Sequence, residues 1–330
     1  MNRTKILIIR FSSIGDIVLT TPIVRALKNC VKNVELHYLT KPENETLLKN
    51  NKYIDKLHLL KNDLSETTDE LSKEEFGYVV DLQKNLRSLR IKKALGVRAS
   101  SFPKLNIRKW LFVNLKLQCM PAIHIVDRYF EAVRDLEVVN DGKGLDYFLQ
   151  EADFVDCETL PAGFQSGYVA CVVGSKHATK QMPTDLMADL CRKIQKPIIL
   201  LGGKGDRDKA AIIGQQVGAK VFNACGNYNI NQSAYLVKNA LGIITPDTGL
   251  MHIAAAFDKN IVAVWGNTVP QFGMYPYRAA NAKGKTYNFE VKNLHCRPCS
   301  KLGYAECPKK HFRCMLGQDT DKIAEIANAW

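Results

Sequence analysis

Ile8 to Lys28 reads IIRFSSIGDIVLTTPIVRALK. A β-branched run leads into a Ser-Ser-Ile-Gly-Asp turn and then into residues at helical spacing. Strand, tight turn and helix in that order open a βαβ unit and predict an α/β protein with a parallel sheet. In such a sheet the carboxyl end of the first strand borders the ligand crevice, so Ser12, Ser13, Gly15 and Asp16 stand at its mouth. Gly15 lets the backbone turn sharply. Asp16 either caps the following helix or projects toward a substrate. Pro22, inside the helical stretch, predicts a kink or a restart there.

Working outward, Lys5 to Arg10, Val34 to Leu39, Lys56 to Leu60 and Tyr78 to Leu82 are short β-branched runs separated by segments long enough for crossover helices. From Asn140 to about Gly167 the sequence turns irregular, with the Asp-Gly, Gly and Pro signals of a linker. The alternation then begins again. Strands are predicted at Tyr168 to Val173, Pro197 to Leu201, Leu241 to Thr245 and Ile261 to Trp265, and helices at Pro183 to Gln195, Gly205 to Val217, Asn231 to Lys238 and Gly249 to Phe257. Two successive α/β units predict two Rossmann-like domains facing each other across a cleft. The expected domains are 1–155 and 156–330, the second ending in a Cys-rich segment and a closing helix from Asp319.

The 330 residues, 46% of them hydrophobic, suffice for two cores. No apolar run reaches the roughly 18 residues of a membrane span, and the start lacks a signal-peptide pattern, so the expected location is the cytoplasm. The formal charge of +13 points to an anionic partner. From Leu82 to Val126 there is no Asp or Glu, while Lys84, Arg87, Arg90, Lys92, Lys93, Arg98, Lys104, Arg108, Lys109 and Lys116 all fall there. A solvated helix face is the plain reading of such a run. Nucleic acid, an anionic membrane surface and a phosphorylated acceptor are the functional ones.

Leu241 to His252, LGIITPDTGLMH, is a buried-type strand followed by a turn and a helix. Backbone N–H groups at that helix start, the Thr248 hydroxyl and the close approach allowed at Gly249 suit a phosphate, and His252 follows one turn later. The plain alternative makes Asp247 a cap and His252 a surface residue. Together, RFSSIGDIVLTTPIVRALK (residues 10–28) and TPDTGLMHIAAAFDKNIVAVWG (residues 245–266) resemble the lipopolysaccharide heptosyltransferase family, glycosyltransferase family 9, over nearly the whole chain.

That resemblance implies the GT-B fold and transfer of heptose from ADP-heptose to a lipopolysaccharide core or lipid A-type acceptor, with inversion. It makes Asp16 the general base and matches the diphosphate-binding lysine to Lys180 in GSKHATKQMP (residues 174–183), with Thr179 beside it as a phosphate hydrogen-bond donor. Asp247, Thr248, Gly249 and His252 match the donor-binding turn. Where the family pattern has Trp, this chain has Met182. The acidic residue for the ribose falls in GGKGDRDKA (residues 202–210), where Asp206 and Asp208 both qualify. No Asp-x-Asp motif stands at a strand end, so no metal and no cofactor are expected in catalysis. In the GT-B arrangement the first domain takes the acceptor, which gives Ser12, Ser13, Gly15, Arg87, Arg90, Lys92 and Lys93 an acceptor-side role and makes the inner-membrane surface a peripheral partner.

Cys296, Cys299, Cys307 and Cys314 crowd one segment. They could hold a structural zinc, with His311 competing as a ligand, or stay as reduced thiols. Two other enzyme readings are a GT-B transferase with another nucleotide sugar and a GT-B epimerase, which would release free sugar without an acceptor. A nucleic-acid-binding protein is the reading from another class. Sparse aromatics in the basic stretch and the absence of a nucleic-acid motif weigh against it.

Overall fold

The computed structural model describes residues 4–330. They divide into two compact units, one running to Lys104 and resuming over Ile123–Phe148, the other comprising Leu105–Ala122 and Leu149–Trp330. In the first unit, β1 (Thr4–Ile9), β2 (Val34–Thr40), β3 (Lys56–Leu59), β4 (Tyr78–Asp81) and β5 (Ala99–Ser101) form one sheet in the order β3-β2-β1-β4-β5. Every pairing is parallel. Ile6 to Ile9 are all fully buried, so both faces of β1 are covered, which is why its sequence is a continuous apolar run and not an alternation. Leu7, Ile9, Leu39, Leu71, Phe76, Val79 and Ile91 make the core on one face.

The second unit carries β6 (Val169–Val172), β7 (Ile198–Leu201), β8 (Val221–Asn223), β9 (Gly242–Pro246), β10 (Asn260–Trp265) and β11 (Thr286–Glu290), in the order β11-β10-β9-β6-β7-β8 and again all parallel. Each sheet reverses its direction of growth beside its first strand, with β2 and β4 flanking β1, and β7 and β9 flanking β6. Crossovers that leave such a strand to opposite sides open a crevice at its carboxyl end. Both units are therefore the α/β Rossmann-like kind that the alternation predicts.

Pro22 marks a restart: the Ile14–Val18 helix ends and the Thr21–Cys30 helix begins with the proline in its first turn. The stretch after Asn140 is irregular, and its beginning is pinned by an ion pair. Arg25, 3% exposed at its side chain, grips Asp141 with two 2.8 Å bonds and also pairs with Asp146. The single cut at 155 misses one exchange. Residues 105–122 go with the second unit, where Phe112 meets Phe272 edge-on at 5.7 Å and the Lys116 ammonium donates to the carbonyls of Cys296 (3.2 Å) and Pro298 (2.7 Å).

At the β2–β3 edge, His37 is fully buried, its Nδ1 lying 2.8 Å from His58 Nε2 and its Nε2 3.0 Å from Glu35 Oε1. Phe76 sits edge-on to both rings, and Glu74 pairs with Lys5 and Lys56. Burial, followed by the neighbouring His37, lowers His58 to about 4. Hydrogen bonds led by Lys56 hold Glu74 down at about 2. Below pH 6.5 an unfolded chain takes up the proton that folded His58 refuses, so stability falls as pH drops toward 4, whereas the Glu74 contribution is intact above pH 4.5 and fades only toward 2. The urea midpoint is expected to drop between pH 6.5 and 4.5 by the equivalent of about 1–2 kcal/mol, discounted for the half-buried ring, and His58→Gln is expected to flatten that slope.

Candidate functional site

In the first unit, β1 runs straight into the Ser-Ser-Ile-Gly-Asp turn. Arg10, 7% exposed, lies beneath it. Its guanidinium donates to the Ser12 carbonyl (2.8 Å) and the Tyr129 hydroxyl (3.1 Å), and it pairs with Asp16 Oδ1 at 2.7 Å. Burial by itself would lower the Arg10 pKa; Asp16 and the Tyr129 and Tyr38 hydroxyls outweigh it, and the net direction is up. The other carboxylate oxygen, Oδ2, accepts from the Ser13 hydroxyl (2.7 Å) and the Ser13 N–H (3.2 Å). Asp16 thus does take part in starting the helix, as the plain reading has it, yet its side chain stays 22% exposed at the strand's carboxyl end. Two fixed oxygens leave the carboxylate one orientation.

Phe11 and Ser12 continue into a depression of about 310 Å³ completed by Lys41 after β2 and by Gln83, Asn85, Leu86 and Arg87 after β4. Gln83 Oε1 accepts the Phe11 N–H at 2.9 Å, tying the two strand ends together. Asn85 caps the Leu86–Leu95 helix by accepting the Ser88 N–H at 3.0 Å. That helix presents Arg87, Arg90 and Lys93 to solvent, and none of the three has an ion-pair partner among the described residues. Lys92 departs from the predicted set. It turns inward to Asp81, which is 1% exposed, at 2.9 Å, and to the Ser101 hydroxyl at 3.0 Å, so it neutralises a buried carboxylate and is not available to an acceptor.

In the second unit, Ala178–Lys180 follow β6 as one 3₁₀ turn, and Asp247 follows β9, its neighbour across the reversal of strand order. Lys180 Nζ lies 2.6 Å from Asp247 Oδ2, an oxygen that also accepts the Thr268 hydroxyl at 3.1 Å. Thr248, not Asp247, is the N-cap of the Gly249–Ala256 helix, and its hydroxyl lies 3.1 Å from that of Thr245. The helix brings unpaired backbone N–H groups and a positive dipole end next to a positioned ammonium, which is an anion-binding arrangement. His252 is 2% exposed and belongs to the interior of the helix, against the surface reading.

Thr179 is placed differently from its expected role. It is 2% exposed, and its hydroxyl accepts the Tyr304 N–H (2.8 Å) while donating to the Tyr304 carbonyl (3.2 Å). With both functions used, it anchors the Cys-rich segment and offers no proton to a phosphate. Arg297 anchors the same segment through the carbonyls of Gly266 (2.6 Å) and Val291 (2.8 Å). Asp206 also turns inward. Its Oδ2 accepts the Gly203 N–H at 2.8 Å and occupies the room a Cβ would need at Gly174, which is why Gly174 carries none. Asp208 is exposed on the Arg207–Val217 helix, and Met182, at the family's Trp position, is buried in the second unit's core.

Cys296, Cys299, Cys307 and Cys314 are free thiols. Burial and the neighbouring Cys296 and Cys314 push Cys299 up to about 12, and burial pushes Cys314 up to about 11. Cys296 Sγ lies 3.8 Å from His311 Nε2. Among the described residues, only His37, His58 and Glu74 bring three metal-ligand atoms within 4.8 Å of one another. The sequence reading missed Arg10, Lys41, Gln83 and Tyr304. The strand-end rule that found Asp16 would have found Lys41 and Gln83 if applied to β2 and β4, whereas nothing in the local sequence flags Arg10 or Tyr304.

Comparison with known proteins identifies the family. The model of glycosyltransferase family 9 (heptosyltransferase) matches residues 66–303, a span that includes Lys180 and Asp247 and leaves out Asp16. Lipopolysaccharide heptosyltransferase 1 of Campylobacter coli is 24% identical over 292 residues, 80% of this chain and 84% of that protein. A family 9 glycosyl transferase from Veillonella parvula superposes with a TM-score of 0.76 at 18% identity, covering 100% of this chain and 97% of the other. The ADP-heptose LPS heptosyltransferase II of Escherichia coli superposes with a TM-score of 0.73 at 16% identity, covering 99% and 98%. Both carry the same α/β fold. With more than half of its length inside the family model, and with a lysine and a helix start poised for an anion at the switch point of its second sheet, the chain belongs to glycosyltransferase family 9, the heptosyltransferase family.

Proposed function

We propose that this glycosyltransferase moves a heptose from ADP-heptose onto a lipopolysaccharide core or lipid A-type acceptor, with inversion and without a metal. The observation that carries the reading is the 2.6 Å Lys180–Asp247 pair at the start of the Gly249–Ala256 helix. The donor and acceptor classes follow the names of the Campylobacter and Escherichia relatives. The acceptor hydroxyl attacks the anomeric carbon, the bond from that carbon to the β-phosphate oxygen breaks, and ADP departs with the electron pair. Negative charge grows on the leaving diphosphate, and a fixed ammonium beside helix N–H groups stabilises it there. Asp247 positions the ammonium and Thr268 positions Asp247.

Asp16 takes the acceptor proton as the hydroxyl acidifies during attack. Arg10 keeps the carboxylate oriented, and Ser13 restrains its other oxygen. Arg87, Arg90 and Lys93, with Lys41 at the same depression, suit the phosphates and carboxylates of an anionic glycolipid and the headgroups around it. Lys180 and the helix start supply the charge that a divalent cation supplies in other transferases, so chelation is expected to be harmless.

The test is a mass increment on extracted core acceptors incubated with a panel of nucleotide sugars. ADP-heptose is expected to give product in the presence of EDTA, and free sugar released without acceptor would mean an epimerase. Asp16→Asn is expected to cut kcat by about 10²–10⁴-fold with donor Kd nearly unchanged, and full turnover by that variant would remove the base. Lys180→Ala is expected to lose about 10²-fold in kcat and to weaken ADP binding as well. Arg10→Lys keeps the buried charge but not the guanidinium fork; about tenfold lower kcat with intact donor binding is expected from steady-state kinetics.

A further inference from the structure

The Asn106–Leu115 helix has ten residues and none of them is buried. A helix this short is marginal on its own and ordinarily owes its stability to an apolar face packed against a core. Here the attachment is thin: Phe112 against Phe272, and the Lys116 ammonium on two carbonyls just past the helix end. Ile107 is 77% exposed and Trp110 56% exposed. They are three residues apart, hence on one face, and at about 100° per residue that face lies roughly opposite Phe112. Leu115 and Leu117 are exposed as well. Arg108 and Lys109 accompany them, in a stretch that contains no carboxylate from Leu82 to Val126.

We propose that this helix is a membrane-docking element that lays Ile107 and Trp110 into the interface of an anionic bilayer while its basic residues meet the headgroup phosphates. Tryptophan with aliphatic side chains beside lysine and arginine is the composition that settles at the boundary between headgroups and acyl chains. Charge selects the occupant. A second copy of the same helix would set like charges against one another, whereas an anionic lipid surface neutralises them. The inference rests on the glycolipid-acceptor reading, because an acceptor held in a bilayer must be met at the bilayer. No helix among the described residues is long and apolar enough to cross a membrane, so the attachment is peripheral. Docking would raise the local concentration of enzyme around its acceptor without touching the transfer chemistry.

The experiment compares the full chain with the double variant Ile107→Ser, Trp110→Ser. Both positions are exposed, so the fold is expected to survive, and circular dichroism with the thermal midpoint checks that. The readout is flotation with vesicles of phosphatidylcholine alone and of phosphatidylcholine with phosphatidylglycerol. The parent is expected to float with the anionic vesicles and to show a blue shift in tryptophan emission that the double variant, which keeps Trp265 and Trp330, lacks. The double variant is expected to lose about tenfold or more in partitioning, to show a raised KM on vesicle-embedded acceptor, and to keep parent turnover on a delipidated, water-soluble acceptor. Equal flotation of parent and variant, or failure of the parent to bind anionic vesicles, would overturn the proposal. So would sedimentation showing a dimer that the two substitutions dissociate. If the parent transfers nothing to the soluble acceptor, the enzymatic reading fails by itself, and flotation still decides the docking.

Discussion

Parallel pairing is the constraint on which everything else in this protein depends. A parallel sheet sends every strand's carboxyl end to the same edge, and a sheet that grows first to one side and then to the other leaves a gap in its cover at the reversal. The first unit reverses beside β1 and the second beside β6. Asp16 follows β1, Lys180 follows β6 and Asp247 follows β9, so the three groups on which the proposed chemistry rests all lie a few residues past strand ends at those two edges. Strand interiors can be apolar throughout because no catalytic duty falls on them.

At the first edge, structure and the proposed chemistry share one carboxylate. Asp16 helps to start a five-residue helix through Ser13 and is paired to an arginine that is itself almost wholly buried. A buried guanidinium is costly unless its donors are satisfied. Arg10 meets that condition with the Ser12 and Leu82 carbonyls, the Tyr129 hydroxyl and Asp16. Helix capping and the pairing with Arg10 thus use different oxygens of one carboxylate. At the second edge a comparable economy holds, with Asp247 fixing the lysine while Thr248 takes the capping position.

Long apolar strands were legible from sequence because both of their faces are covered, and β1, β2, β4, β6, β7, β9 and β10 all fall where β-branched runs predict them, as does the shorter β3. Ala99–Ser101, Val221–Asn223 and Thr286–Glu290 were not legible. They are partly exposed edge strands and carry too little apolar signal. The exchange of residues 105–122 into the second unit depends on contacts with Phe272, Cys296 and Pro298, more than 150 positions away along the chain, and no local pattern announces it. Lys92 and Thr179 carry the same lesson at the site. Residue type and spacing name the groups capable of a role, but only tertiary partners, Asp81 in one case and the Tyr304 backbone in the other, decide whether the group faces outward to perform it.

The claim at the centre is that the second sheet's switch point cradles a nucleotide diphosphate. Hydrogen–deuterium exchange of the full chain with and without ADP addresses it directly, since amides that bind phosphate slow their exchange. The account predicts protection concentrated in residues 174–180 and 247–253. Saturating ADP that leaves both segments unchanged, or that protects only amides elsewhere, would contradict it.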